Sequence, residues 1–196
     1  MLKAALILFS FRQELKYVIF TFSLLLLLPL MAIVVITNTG IHAVSNLLIN
    51  VDPLSKQIQI FSPNGELYKE LDISIVWPTS GVVTQEFGET ELPYYLFHTG
   101  IDIAGKLGDS ITPAIRGKVI HVGSLSWGLG NHVIIDHGHN LTTGYGHMSK
   151  ILVSEGDEVD PGDVIGLQGS TGWSTGVHLH FEVRVFGVPV NPRIVL

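Results

Sequence analysis

Val177-His178-Leu179-His180-Phe181-Glu182 is the stretch on which the fold of this chain turns. Successive side chains of a β-strand alternate between faces, so His178 and His180 share one side while Leu179 and Phe181 enter a core on the other. Upstream stands His98-Thr99-Gly100-Ile101-Asp102, in which Asp102 alternates with Ile101 and Ile103. Two imidazoles on one strand face, an earlier histidine and a carboxylate are the donor types of a three-ligand zinc site. The open fourth position of such a site admits water and makes the metal catalytic.

The surrounding texture is that of an all-β domain. Of 21 glycines, 19 lie between Gly81 and Gly187, and they bracket short β-branched runs at 117–122, 133–136, 164–167 and 177–186. Short strands punctuated by glycine turns predict an antiparallel β domain over residues 77–196, not alternating βαβ units. Gly108-Asp109, Gly156-Asp157 and Gly162-Asp163 read as repeated turns into strands. Residues 37–76 are expected to be a stalk with one small hairpin, turning at Asn64-Gly65.

Residues 17–36 form a run of 20 without charge, long enough to cross a bilayer as a helix, with Pro29 inside it. Lys3, Arg12 and Lys16 precede the run, and the next basic residue is Lys56. That asymmetry predicts a cytoplasmic N-terminus (1–16), a single transmembrane helix (17–36) and a domain on the periplasmic or extracellular side. A cleaved signal peptide is the competing reading, but its apolar region would be unusually long. After residue 36 there remain 8 basic residues (11 less three) and 16 acidic ones (17 less one), a net charge near −8 with histidine neutral. No basic footprint for nucleic acid is present. The absence of cysteine excludes disulfides and a thiolate metal site.

Nine histidines must be sorted. His42 falls in the stalk, His121 and His132 in strand runs as half-exposed residues, and His137-Gly138-His139 at a hairpin tip where side chains face water. His98, Asp102, His147, His178 and His180 are left, all in short strand-like segments framed by glycine. Glu182 shares strand parity with His178 and His180, either as an acceptor orienting a ring or as a structurally paired charge. Tyr145 shares parity with His147 and reads as a packed tyrosine, and Asn131 as structural.

His98-x3-Asp102, Tyr145-x-His147-Met148 and Gly176-x-His178-Leu-His180-Phe-Glu182, in this order, resemble the lysostaphin/LytM-type zinc metallopeptidases. These enzymes cut peptide bonds in bacterial peptidoglycan. Trp77-Pro78, Glu86-Phe-Gly88, Gly130-Asn-His-Val-Ile-Ile-Asp-His-Gly138 and Gly169-Ser-Thr-Gly172 extend the likeness over 77–196. Val177 departs from it, standing where the family usually carries proline. The resemblance implies an all-β, compact antiparallel β-sandwich of the duplicated hybrid type, related to biotinyl/lipoyl carriers, with Zn2+ held by His98, Asp102 and His180. It further implies that His147 and His178 act as non-ligand histidines on the attacking water, without a readable division of labour. An unperturbed imidazole in that role predicts activity falling below about pH 6.

The reading is therefore a membrane-anchored zinc endopeptidase acting on peptidoglycan peptides, with loop 89–97 expected to set the bond cleaved. An inactive scaffold of the same fold, activating other wall hydrolases, is the alternative, since one fold can host both roles. A carrier domain would need a lysine at a hairpin tip, and none follows Lys150.

Overall fold

The computed structural model describes residues 2–90 and 97–196, with the side chains at 2–14, 26, 30 and 33–38 outside that description. Most of loop 89–97 therefore lies outside the described residues. Two compact units are present, residues 1–39 and residues 40–196. The first is helical: α1 (Leu2–Leu48) starts in it and contains Pro29. Tyr17, Val18, Ile19, Phe20, Phe22 and Leu25 on this helix are exposed. Among the described residues, no helix is long and apolar enough to cross a membrane. The expected span at 17–36 includes six positions whose side chains are not described, so the fold lends the anchor no support of its own.

The second unit is built from antiparallel strands. β1 (Ile49–Val51), β2 (Ile58–Phe61) and β3 (Leu67–Leu71) form one sheet, with the expected hairpin turning at Gly65, φ 85°. This segment does not stand apart as a spacer. Leu48, Ile49, Ile58, Ile60 and Leu71 are buried in the core that also holds Phe181 and Val183. The alternating apolar positions that predict the hairpin also require a layer to cover them, and the rest of the unit supplies it.

The remaining strands are β4 (Val82–Gln85), β5 (Ile101–Ala104), β6 (Ser110–Ile111), β7 (Gly117–Ser124), β8 (Asn131–Asp136), β9 (Leu141–Gly146), β10 (Lys150–Ile151), β11 (Glu158–Val159), β12 (Gly166–Leu167), β13 (His178–Val185) and β14 (Val188–Val190). The large sheet runs β11-β7-β8-β9-β13-β5-β4, with β14 also paired to β13, and a small sheet runs β10-β12-β6. The three Gly-Asp phrases form one repeated device. Gly108, Gly156 and Gly162 take φ near 90–106°. Asp109, Asp157 and Asp163 each accept from the backbone N–H three residues earlier, at 2.7–2.8 Å. Such turns are closed locally by an Asp side chain and a glycine, which is why they were legible in sequence.

Candidate metal centre

Strand β13 sits in the middle of the large sheet and places the site. Leu179, Phe181, Val183 and Val185 on one face are fully buried in the core. On the other face His180 stands opposite Asp102 of β5 and Gly146 of β9, and Glu182 opposite Gly144. The two glycines leave that face of β9 open, so the imidazoles meet no side chain there. His98 precedes β5 on a loop fixed by its own backbone: its N–H donates to Glu89 O and its carbonyl accepts from Gly88 N–H, both at 2.8 Å.

Three donor atoms converge. His98 Nε2 lies 3.0 Å from Asp102 Oδ1 and 2.9 Å from His180 Nδ1, and His180 Nδ1 lies 2.8 Å from Asp102 Oδ1. All three residues are buried. Acceptors on the far side of each ring decide the tautomers. His98 Nδ1 faces Glu86 O at 2.9 Å, and His180 Nε2 faces Glu182 Oε1 at 3.2 Å. A carbonyl and a carboxylate can only accept, so the outer nitrogens carry the protons and the inner ones present lone pairs. Three lone pairs cannot sit this close without a proton or a cation among them. A proton on His180 is favoured there: burial opposes the ring's charge, but hydrogen bonds to Asp102 and Glu182 outweigh it and push the ring up to about 9. Burial likewise opposes the charge on Asp102, and its close contacts with His180 and His98 hold it far below the usual carboxylate range. A tetrahedral zinc ion spaces its nitrogen and oxygen ligands roughly 3.3 Å apart, a small expansion of this triangle. The donor set fits a divalent cation with a position left open.

Two further histidines flank the triangle. His147 follows β9 and takes φ 61°, a left-handed conformation that costs a non-glycine residue about 1 kcal/mol. Its N–H donates to Leu129 O at 2.8 Å, and its Nδ1–H donates to Thr171 O at 2.7 Å. Burial, reinforced by the charges of His180 and His178, pushes the His147 ring down to about 4 and keeps it neutral. His178 Nδ1 faces Gly176 O at 3.0 Å and its Nε2 lies 3.4 Å from Asp102 Oδ2. The His147 ring is 4.6 Å from that of His178 and 5.8 Å from that of His180.

Glu182 fills both expected parts, facing the His180 ring as an acceptor and forming an ion pair with Arg184. It is 4% exposed and takes hydrogen bonds from His180, from Arg184 Nε at 2.7 Å and from the Thr99 hydroxyl. Burial opposes its charge, yet His180 and Arg184 hold it well below the usual carboxylate range. A cavity of about 260 Å³ opens onto the cluster, lined among others by Phe97, Leu129, His147, Trp173 and Arg184.

All five expected site residues are thus brought together, and three other expectations are corrected. His137 is no loosely held tip residue, since Nδ1 bonds Arg116 O at 2.8 Å and Nε2 bonds the Thr143 hydroxyl at 2.8 Å. His132 is buried and not half-exposed, with Nδ1 on Gly130 O at 2.9 Å. Tyr145 and His147 do not share a face. The left-handed turn at His147 breaks the alternation, while Tyr145 packs against Phe181 in the core and its hydroxyl bonds Ala114 N–H and Thr143. Asn131 is structural, donating to Met148 O at 3.0 Å. Sequence reasoning missed the outer acceptors Glu86 O, Thr171 O and Gly176 O, because every residue carries a carbonyl. Thr99, next to His98, was within reach of it.

Residues 96–192 match peptidase family M23. The murein hydrolase activator NlpD of Salmonella dublin is 41% identical over 116 residues, which are 59% of this chain and 29% of that protein. The chain spans under two fifths of the length of the curated relatives it matches. Among solved structures, the catalytic domain of the prophage-encoded M23 protein EnpA from Enterococcus faecalis is 41% identical with a TM-score of 0.55, covering 61% of this chain and 95% of that one. A zinc containing peptidase from Vibrio cholerae is 31% identical with a TM-score of 0.58, covering 69% of this chain and 45% of that one.

Proposed function

The chain belongs to peptidase family M23, and from that premise we propose that it is a zinc metalloendopeptidase hydrolysing peptide bonds in the cross-links of peptidoglycan. The observation that carries this reading is the inward convergence of His98 Nε2, Asp102 Oδ1 and His180 Nδ1, with both rings locked by outer acceptors. Zinc on these three residues would supply a Lewis acid for the scissile carbonyl and lower the pKa of a water molecule.

The remaining work falls to the chain's own residues. His147, held neutral with its Nδ1–H on Thr171 O, has Nε2 ready to take the proton of the attacking water. As the water oxygen bonds the carbonyl carbon, charge develops on the carbonyl oxygen and then on the leaving nitrogen. His178, when protonated, is braced by two acceptors, Gly176 O and Asp102 Oδ2, and delivers its proton to that nitrogen as the C–N bond breaks. Glu182 keeps the His180 ring from turning.

The sandwich is of the duplicated hybrid type in this reading. Residues 17–36 anchor the chain as a single uncharged span, with Lys3, Arg12 and Lys16 retained in the cytoplasm. The β unit then stands on the periplasmic or extracellular side, where peptidoglycan is found.

The test uses the full chain in detergent micelles with purified peptidoglycan, and mass spectrometry of the released fragments. Peptide ends should appear with zinc, vanish with a chelator and return when zinc is restored. A second reading, that of a scaffold activating other wall hydrolases, is favoured by the name of the Salmonella relative. Zinc-loaded chain that releases nothing alone, yet speeds a separate wall hydrolase as well with His180→Ala as without it, would establish that reading against ours.

A further inference from the structure

Two tryptophans that the hydrolysis does not use stand beside the metal pocket. Trp127 and Trp173 are 57% and 48% exposed, with rings 6.1 Å apart and inclined by 53°, so they form a V-shaped cleft. Large apolar surface left in water at two neighbouring points marks a contact surface, and tryptophan is the side chain most often found at the energetic centre of one.

The two loops are latched together, so the cleft is built in advance of any ligand. Trp173 N–H donates to Gly128 O at 2.8 Å. Asn131 N–H donates to the Thr171 hydroxyl at 2.9 Å, and that hydroxyl donates to Met148 O at 3.0 Å. Gly172 takes φ 71° and lies so near the other loop that a Cβ there would stand 2.4 Å from Gly128 O and from Gly130 N. Thr171 also supplies the carbonyl that holds His147. Platform and candidate base are one hydrogen-bonded piece, and a ligand held in the cleft is held in register with the site.

The chemistry of the rim selects the ligand. Residues 122–131 and 169–177 contain no Asp, Glu, Lys or Arg, only Gly, Ser, Thr, Asn, Leu, Val and the two tryptophans. Ser126 and Thr175 are exposed. A charged peptide finds no partner on these two loops, the charges of Glu182 and Arg184 belonging to the pocket that Trp173 also borders. A pyranose does: its C–H face lies flat on an indole, and its hydroxyl and acetamido groups meet serine and threonine. We propose that the Trp127–Trp173 cleft binds the N-acetylhexosamine glycan strand of peptidoglycan beside the pocket in which its stem peptide is cut. This rests on the peptidoglycan reading and adds recognition of the sugar to it.

The full chain in detergent micelles, with chelator present so that nothing is cut, is titrated with a β-1,4-linked N-acetylglucosamine tetramer while indole fluorescence is followed. A Trp77→Phe background removes the third indole, which lies under Arg193 at 5.4 Å. A saturable change is expected, weakened at least about tenfold by Trp173→Ala and much less by Trp127→Phe, which keeps a flat face. No saturable change, or unaltered affinity in Trp173→Ala, overturns the proposal. So does shielding of both indoles from an aqueous quencher by lipid bilayers alone with no response to the tetramer, which would make the cleft a membrane-interface patch. Binding is read without turnover, so a failure here leaves wall-fragment release by the zinc-loaded chain untouched, and the reverse also holds.

Discussion

Gly100 separates His98 from Asp102, and it should not tolerate a methyl group. A Cβ there would stand 2.2 Å from the carbonyl oxygen of Phe181 and 2.9 Å from its carbonyl carbon. Ordinary contact requires roughly 1 Å more. Both obstructing atoms are backbone of β13, so no side chain can swing aside. The strain must part β5 from β13 where Ile101 pairs with Phe181 and Asp102 with His180. Overpacking costs about 1–3 kcal/mol, and a site that cannot yield belongs at about 3. For a unit of this size that lowers Tm by roughly 6–12 °C. The same displacement opens a triangle whose edges are 2.8–3.0 Å, so zinc affinity should collapse as well. Gly144→Ala is the control. It lies on the site face of the neighbouring strand, but its Cβ would meet Glu182 at an ordinary 3.5 Å, and its Tm should move by less than about 2 °C. Thermal unfolding of both variants, with zinc competition against a chromophoric chelator, decides the matter. Gly100→Ala melting beside the parent and holding zinc equally well would refute the reasoning.

Other outcomes follow from the site. Glu182→Gln removes the charge 3.2 Å from His180 Nε2 and should weaken zinc binding about 10- to 100-fold; an affinity within twofold of the parent would deny Glu182 its orienting role. His180→Ala should lose zinc and hydrolysis together, whereas His178→Ala should keep zinc and lose turnover, as metal analysis and fragment release on the same preparations would show. His147 should titrate by NMR well below 6.5, since burial, helped by the His180 and His178 charges, pushes it down to about 4. Its unfolded ring accepts a proton that the folded ring refuses, so its contribution to stability, up to about 3 kcal/mol, is lost as pH falls from 6.5 towards 4. The acid limb of activity set by this group then lies below the pH 6 expected of an unperturbed imidazole, and a His147 midpoint at or above 6.5 would contradict this.

Much of the fold was legible because its signals are local. Alternation along 177–186 identified β13 and its two faces, and Asn64-Gly65 and the Gly-Asp phrases marked turns closed by neighbouring residues. The separate stalk was misread for a non-local reason: whether an alternating hairpin stands free depends on what covers Ile58 and Ile60. His137 was misread in the same way, because the partners that fix it, Arg116 O and Thr143, lie in other strands.

By itself the sequence determined the donor types, the antiparallel β class and the face of β13 that carries His178 and His180, since a period of two is written residue by residue. Only the tertiary structure decided which ring nitrogens point inward, because their tautomers are set by the Glu86, Thr171 and Gly176 carbonyls and by Glu182. It alone turned His147 into the site through a left-handed backbone, and it alone brought Trp127 to Trp173. The Thr171–His147 and Trp127–Trp173 relations join segments far apart in the chain, and main-chain carbonyls, common to every residue, leave no mark in a sequence even where, as at Gly176, they stand close by.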